Sequence, residues 1–295
     1  MVKITSPIAL IIFKRTDTLE RIVEELNKHE LDSLHIIADG PRTEAEKPET
    51  DKARSIAETI KARSISKNYS TKNQGLRLNV ANGLTKAFED SEQLIVLEDD
   101  CLPSAAFFES CQNLNNQIKS DPGLAGFCGS SFLPKKSSQE VWRSAKFNVW
   151  GWLANRTVWN KFIDSGFLDF SSGEMMRHRK SLNQIPPLAK WEMVRIMKVL
   201  DEIDTWDVQF ETFCIENGYQ FLKPRQNLIQ NIGFGSGATN TIEFGSSLSL
   251  KLSGSRVESK SIPAKASKVL DLVEHSSRFS RLFGELIQKK LIRHH

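Results

Sequence analysis

Residues 94–97 are four consecutive apolar residues, Leu-Ile-Val-Leu, and residues 98–100 are three consecutive acids, Glu-Asp-Asp. An apolar run without polar alternation fits a central strand buried on both faces. Open α/β sheets bind ligands beyond the carboxyl ends of their strands, so such a strand would deliver Glu98, Asp99 and Asp100 to that crevice. Three adjacent carboxylates repel one another, which a bound cation relieves. Their hard oxygens suit Mg²⁺ or Mn²⁺, ions that usually share their coordination with substrate phosphates. A solvated acidic turn could hold the same three residues. The buried run before them and Phe107-Phe108 after them favour the strand end.

The chain before this stretch alternates in period. Residues 8–13 predict a first strand, followed by Lys14-Arg15-Thr16-Asp17 and a helix with Leu19, Ile22, Val23 and Leu26 at helical spacing. Residues 34–38 predict a second strand, ending at the turn Asp39-Gly40-Pro41-Arg42. An amphipathic helix over 43–63, a short strand at Ile65 and a helix over 79–88 lead to the central strand. Strand and helix in alternation imply a parallel, nucleotide-binding type of half. Beyond the acids, Ser104 is placed to cap a helix to about residue 119, and residues 124–132 predict another strand. Residues 133–146 read as a polar loop, 164–187 as a flexible flap, 188–203 as an amphipathic helix and 210–217 as a further helix. A strand at 218–222 precedes a glycine-rich segment over 227–237.

The chain has 295 residues, enough for one large domain or a domain with an appendage. Its net charge of +4 is unevenly spread: residues 246–295 hold ten Lys/Arg against four Asp/Glu, leaving thirty against thirty-two in the rest. A near-neutral body argues against nucleic acid as a partner. Cys101, Cys111, Cys128 and Cys214 show no zinc spacing, and read as reduced, mostly buried thiols of a cytoplasmic protein. No apolar run reaches membrane-spanning length, and the first residues do not read as a signal peptide.

Leu-Glu-Asp-Asp followed by Pro and Phe-Phe resembles the metal-binding acidic motif of GT-A glycosyltransferases, especially the N-acetylglucosaminyltransferase I type and its bacterial relatives. Four further segments fit in order: 9–15, Ala38-Asp39-Gly40, Val149-Trp150-Gly151-Trp152, and Trp206-Asp207 leading to Asn231-Ile232-Gly233-Phe234-Gly235. They span residues 8–242. The resemblance implies a Rossmann-like α/β fold with a mixed, mainly parallel sheet flanked by helices. It also implies a metal-dependent, nucleotide-sugar-dependent transferase of hexosyl or N-acetylhexosaminyl groups. The donor would be UDP-linked, the acceptor a glycan or lipid-linked glycan, and the outcome inverting, although donor motifs are shared with retaining enzymes.

Residue by residue, the resemblance makes Asp100 the metal ligand, Asp99 the acid near the ribose and Glu98 the acid near the nucleotide. Asp39 would read the uracil edge, since a carboxylate can accept the pyrimidine N–H. Arg15 is a basic nucleotide contact, and Asn79 stands where the family has a nucleotide-contacting histidine. Asp207 takes the role of general base for the acceptor hydroxyl, with Asp204 and Glu211 as reserves and a helix cap as the competing use. Residues 233–241, with Gly233, Gly235 and Gly237, match a loop that closes over the diphosphate. Trp150 and Trp152 would stack on a sugar or lie in the core.

The expected organisation is a transferase domain over 1–245, and a linker with a basic amphipathic C-terminal helix over 246–295. That helix fits the cytoplasmic face of a membrane, a second subunit or the protein's own domain. Two other readings compete. A nucleotidyltransferase would need a glycine- and lysine-rich phosphate loop, and Lys14-Arg15-Thr16-Asp17 has no glycine. A non-catalytic glycan-binding or scaffold protein could share the fold.

Overall fold

The computed structural model describes residues 1–134, 140–234, 249–257 and 263–292, with side chains of the last helix up to Arg281. The first half is strand–helix alternation: β1 (Lys3–Ile4), β2 (Ile8–Ile12), α1 (Thr16–Leu26), β3 (Glu30–Ala38), α2 (Lys47–Ala57), β4 (Ala62–Tyr69), α3 (Leu76–Ala87) and β5 (Gln93–Glu98). Helix α1 buries Leu19, Ile22, Val23 and Leu26, as their spacing demands. β5 pairs in parallel with β2, β2 with β3 and β3 with β4. From β2 the chain winds outward to β4, then returns to lay β5 on the other side of β2. The β2/β5 boundary is therefore a topological switch point, where the crevice beyond the carboxyl ends opens.

The second half completes the sheet: β6 (Cys101–Pro103), α4 (Ala105–Ser120), β7 (Leu124–Cys128), β8 (Val141–Ser144), β9 (Trp152–Asn155), α5 (Arg156–Asp164), α6 (Ser172–Arg177), α7 (Pro187–Met197), α8 (Asp207–Glu216), β10 (Gln220–Pro224), β11 (Ile229–Asn231) and α9 (Lys268–Ile292). Among the described residues nine strands form one mixed, mainly parallel sheet, in which β9 runs antiparallel between β5 and β7. Side chains of β2 and β5 alternate between two cores. Ala9, Ile11, Leu94 and Val96 face α3, α5 and α8, while Ile8, Leu10, Ile95 and Leu97 face α1, α2 and α4. Burial on both faces explains why these strands read as unbroken apolar runs.

Three expectations change. Residues 141–144 form a fully buried strand at the sheet edge, where a polar loop was predicted. Trp142 goes into the core and Arg143 pairs with Asp121, so polar letters there do not signal solvent. The segment over 164–187 is built of short helices, not a flap, and buries Phe167, Leu168, Met175, Leu182 and Ile185. The helix predicted over 188–203 ends at Met197, and a 3₁₀ turn over Leu200–Glu202 follows. Ser104 caps α4 as predicted, accepting from the Phe107 N–H. All four cysteines are buried and free.

Helix α9 docks by its polar side. Glu274 forms an ion pair at 2.8 Å with Lys223, which is fully buried on β10, and Asp271 accepts from the Trp142 indole at 3.2 Å. Val269, Leu272 and Val273 face outward instead. The boundary expected at 245/246 lies outside the described residues. No helix among the described residues is long and apolar enough to cross a membrane.

Candidate functional site

The carboxyl ends of β2, β3 and β5 carry Arg15, Asp39 and Glu98-Asp99-Asp100 into one cleft of about 540 Å³. On its floor, the Phe13 N–H donates to Asp99 Oδ2 at 3.0 Å. Arg15 Nη1 bonds Asp100 Oδ2 and lies 3.9 Å from Asp99 Oδ1. The two-stranded ribbon of β6 and β11 fixes Asp100 from behind, through the Ile232 N–H to its carbonyl at 2.8 Å. A side chain at Gly233 would overlap Asp100 Oδ2 and sit 2.7 Å from Arg15 Nη1, so only glycine lets this backbone pass the acids.

The acids share one electrostatic problem. Burial first, then Asp100, Asp99 and Asp207, push the Glu98 carboxyl well above the usual range. Burial and then Asp100 push Asp99 up to about 7. Burial pulls the Arg15 guanidinium down, but the neighbouring acids outweigh it and hold Arg15 above its ordinary value. The guanidinium is the cation that balances these carboxylates.

Asp39 is occupied by the protein itself. Its Oδ1 accepts from the N–H groups of Gly40 and Gln74, both at 2.8 Å, and its Oδ2 from Gly75 N–H and Asn73 Nδ2, both at 2.9 Å. Four donors fill the acceptor positions of a carboxylate. Burial pushes its pKa up, against the pull of the backbone donors. Asp39 thus builds the 73–75 loop that lines the cleft, and a uracil N–H would have to share one of its filled positions. Asn79, one turn into α3, is buried and also lines the cleft.

Trp206 sets a further part of the cleft wall. It is buried between Trp152, Trp159, Phe147 and Phe210, with ring centroids 5.7–6.2 Å away. That aromatic packing fixes Asp207 at the start of α8, facing the cleft with one oxygen bonded by the Thr205 hydroxyl. Asp207 is close enough to Glu98 to raise its pKa. One turn later, Glu211 Oε1 accepts from Phe147 N–H at 2.9 Å and pairs with Lys146 at 2.6 Å. Asp204, the other reserve, accepts from Leu76 and Arg77 N–H groups and caps α3.

Trp152 is core, with no exposure, whereas Trp150 lines the cleft beside Phe132 and Phe234. Gly235 and the loop to residue 241 lie outside the described residues. Sequence reasoning missed Asn73, Ser130, Lys146, Glu192 and Arg278, which also line the cleft. Only Arg278 carried a signal, as part of a basic helix face assigned elsewhere.

Among the described residues no group of three or more His, Cys, Asp or Glu side chains is arranged to hold a metal. Asp100 with Asp99 nonetheless fits an ion that takes one or two protein carboxylates and completes its shell on phosphates. Such an ion needs Arg15 to turn away from Asp100.

No family model matches the chain, and no curated protein matches it. Solved structures overlap it loosely. The glycosyltransferase GlyE of Streptococcus pneumoniae TIGR4 matches at 10% identity and a TM-score of 0.37, over 73% of this chain and 45% of GlyE. The mannosyltransferase PcManGT of Pyrobaculum calidifontis, in complex with GDP-Man and Mn²⁺, matches at 13% and 0.38, over 72% and 70%. A UDP-glucose pyrophosphorylase complexed with UDP-glucose matches at 9% and 0.38, over 76% and 93%. The chain spans less than half of GlyE. Likeness of this degree leaves the activity to the site.

Proposed function

We propose that the chain is a nucleotide-sugar-dependent glycosyltransferase on a GT-A arrangement of the N-acetylglucosaminyltransferase I kind. The carrying observation is that Arg15, Asp99 and Asp100 meet at the switch point while Asp207 lines the same cleft, close enough to Glu98 to raise its pKa. An acid–base floor at the carboxyl ends of parallel strands suits a nucleoside diphosphate. A further carboxylate lining the cleft suits deprotonation of an attacking hydroxyl.

The donor is UDP-linked and carries a hexosyl or N-acetylhexosaminyl group, and the acceptor is a glycan or lipid-linked glycan. Asp100, with Asp99 beside it, would hold a Mn²⁺ or Mg²⁺ ion. When bound, the ion neutralises charge on the leaving diphosphate. Arg15, released from Asp100, would supply a fixed positive charge to the same phosphates. Asp39 and Asn79 shape the base side of the cleft. The acceptor hydroxyl gives its proton to Asp207 as its oxygen bonds the anomeric carbon, and the bond from that carbon to the diphosphate breaks. Single displacement inverts the anomeric centre and releases UDP.

The test is turnover of a UDP-, GDP- and CDP-sugar panel with Mn²⁺, with and without acceptor glycans. Faster release of UDP than of GDP or CDP supports the reading. Pyrophosphate-dependent exchange of the nucleotide would favour a nucleotidyltransferase instead. Nucleotide-independent glycan binding without turnover would leave a scaffold.

A further inference from the structure

Helix α9 packs on the sheet by its acids and leaves its apolar side in solvent. Asp271 and Glu274 are buried, the first on the Trp142 indole and the second on the ammonium of Lys223. His275 is buried beside them, 3.3 Å from Glu192 of α7. The other side carries Val269 at 71% exposure, Leu272 at 46%, Val273 at 39% and Phe279 at 42%. Ser276 and Ser280, both exposed, complete that side. At about 100° per residue these six positions share roughly a third of the helix circumference. Phe283, Leu286 and Ile287 continue the spacing in the sequence before the helix ends at Ile292.

A contiguous apolar stripe in solvent marks an interaction surface. The helix cannot roll over to hide it, because that would strip Glu274 from a fully buried lysine and leave the ammonium unpaired. The surrounding charge says what the stripe meets. Residues 246–295 hold ten Lys/Arg and four Asp/Glu, and two of those acids, Asp271 and Glu274, are spent inside the protein. Lys265 and Lys268 at one end of the stripe and Arg281 at the other are exposed. A second copy of this helix would bring like charges together. An anionic lipid surface takes both features, the apolar side chains at the acyl boundary and the basic ones at the headgroups.

We infer that the outward side of α9 lies on an anionic lipid surface while its inward side stays docked on the sheet. Arg278, which lines the cleft, follows Val269 by nine residues, about two and a half turns, and so stands on the opposite side of the helix. Helix α9 is thus the layer between the cleft and the lipid. The lipid contact does not depend on what the cleft does; its consequence, a lipid-linked rather than a free glycan acceptor, rests on the glycosyltransferase reading.

Flotation of the full chain with phosphatidylcholine vesicles, with and without about 30 mol% phosphatidylglycerol, tests the contact. It uses neither nucleotide nor acceptor, so its failure and that of the transfer reading are separate. The anionic vesicles should be bound at least about tenfold more tightly, and added salt should erode the difference. The triple variant Val269→Ser, Leu272→Ser, Val273→Ser should lose flotation yet melt near the wild type, since all three side chains are exposed. Lys268→Gln with Arg281→Gln should reduce the preference for anionic vesicles. Binding to neither vesicle, equal binding to both, or binding that survives the triple substitution overturns the inference. A dimer in sedimentation equilibrium that the triple substitution dissociates also overturns it, and makes a second copy the occupant.

Discussion

Asp204 accepts a hydrogen bond from the backbone N–H of Leu76, 128 residues away in sequence, and one from the next residue, Arg77, at 3.1 Å. Helix α3 thus has no cap of its own and borrows one from the segment that carries Trp206 and Asp207. The 73–75 loop, built on Asp39, lies directly before that helix. Through these contacts the base side of the cleft and the wall bearing Asp207 are tied into one structure.

The first prediction concerns that tie. Asp204→Ala should lower stability by about 0.5–2 kcal/mol, the usual range for loss of a side-chain cap. Asp204→Asn should cost less, because it keeps one acceptor oxygen. Denaturant unfolding of the two variants checks the ranking, and equal losses would rule out capping as the cause.

Asp39 gives a second prediction. With four protein donors on its carboxylate, Asp39→Asn puts an amide N–H against an N–H donor and should loosen the 73–75 loop. UDP, CDP and GDP affinities should fall together while UDP stays the tightest of the three. Competition binding decides this. Loss of UDP binding alone would return Asp39 to a direct contact with the base.

How much of this was legible in the sequence depends on how local the signal was. The strand ending in Glu98-Asp99-Asp100 needed only an unbroken apolar run, and α1 only its spacing. The strand at 141–144 was hidden because Arg143 and Ser144 find partners within the protein. Asp204 and Asp39 looked like free chemistry, since nothing local shows that backbone N–H groups elsewhere consume their oxygens. The docking of α9 inverted the usual inference. Its acids meet a buried lysine and an indole from strands more than 40 residues earlier, so the polar face turned inward.

That docking makes a third prediction, on pH. Burial lowers the pKa of His275, with Lys146 and Arg278 adding to the effect and Glu192 and Glu211 opposing it. A histidine depressed in the folded state leaves the unfolded chain to take up the proton first. Its contribution to stability is full above an unfolded value of about 6.5 and is lost as pH falls toward the folded value. The protection of α9 against hydrogen exchange, relative to the unstructured chain at the same pH, should therefore fall below about pH 6.5. His275→Gln should flatten that dependence, and an unchanged slope would remove His275 as its source.

A fourth prediction follows from the pairing of Arg15 with Asp100. Asp100→Ala should abolish any gain in UDP affinity from Mn²⁺, measured by calorimetry. Arg15→Gln should weaken UDP binding, yet raise affinity for Mn²⁺ alone by freeing the carboxylate. Metal-dependent affinity retained in a folded Asp100→Ala protein would place the ion elsewhere.

The last prediction separates Asp207, the base the resemblance implies, from the two acids kept in reserve. Asp204 is spent on the α3 cap, and Glu211 is held by Lys146 and the Phe147 N–H. Asp207 has one oxygen bonded to Thr205 and faces the cleft, held there by the buried Trp206. It is therefore the carboxylate best placed to take a proton from an acceptor hydroxyl. Removing a general base typically costs about 10²–10⁴-fold in rate. Asp207→Asn keeps the shape and should leave UDP affinity near normal, with transfer down at least about a hundredfold. Glu211→Gln should instead lower stability, because Lys146 would lose its partner in a site only 12% exposed. Normal transfer by Asp207→Asn with collapse in Glu211→Gln would move the base one turn along α8. Loss of UDP binding in Asp207→Asn would mean that its charge serves the donor side, through its proximity to Glu98.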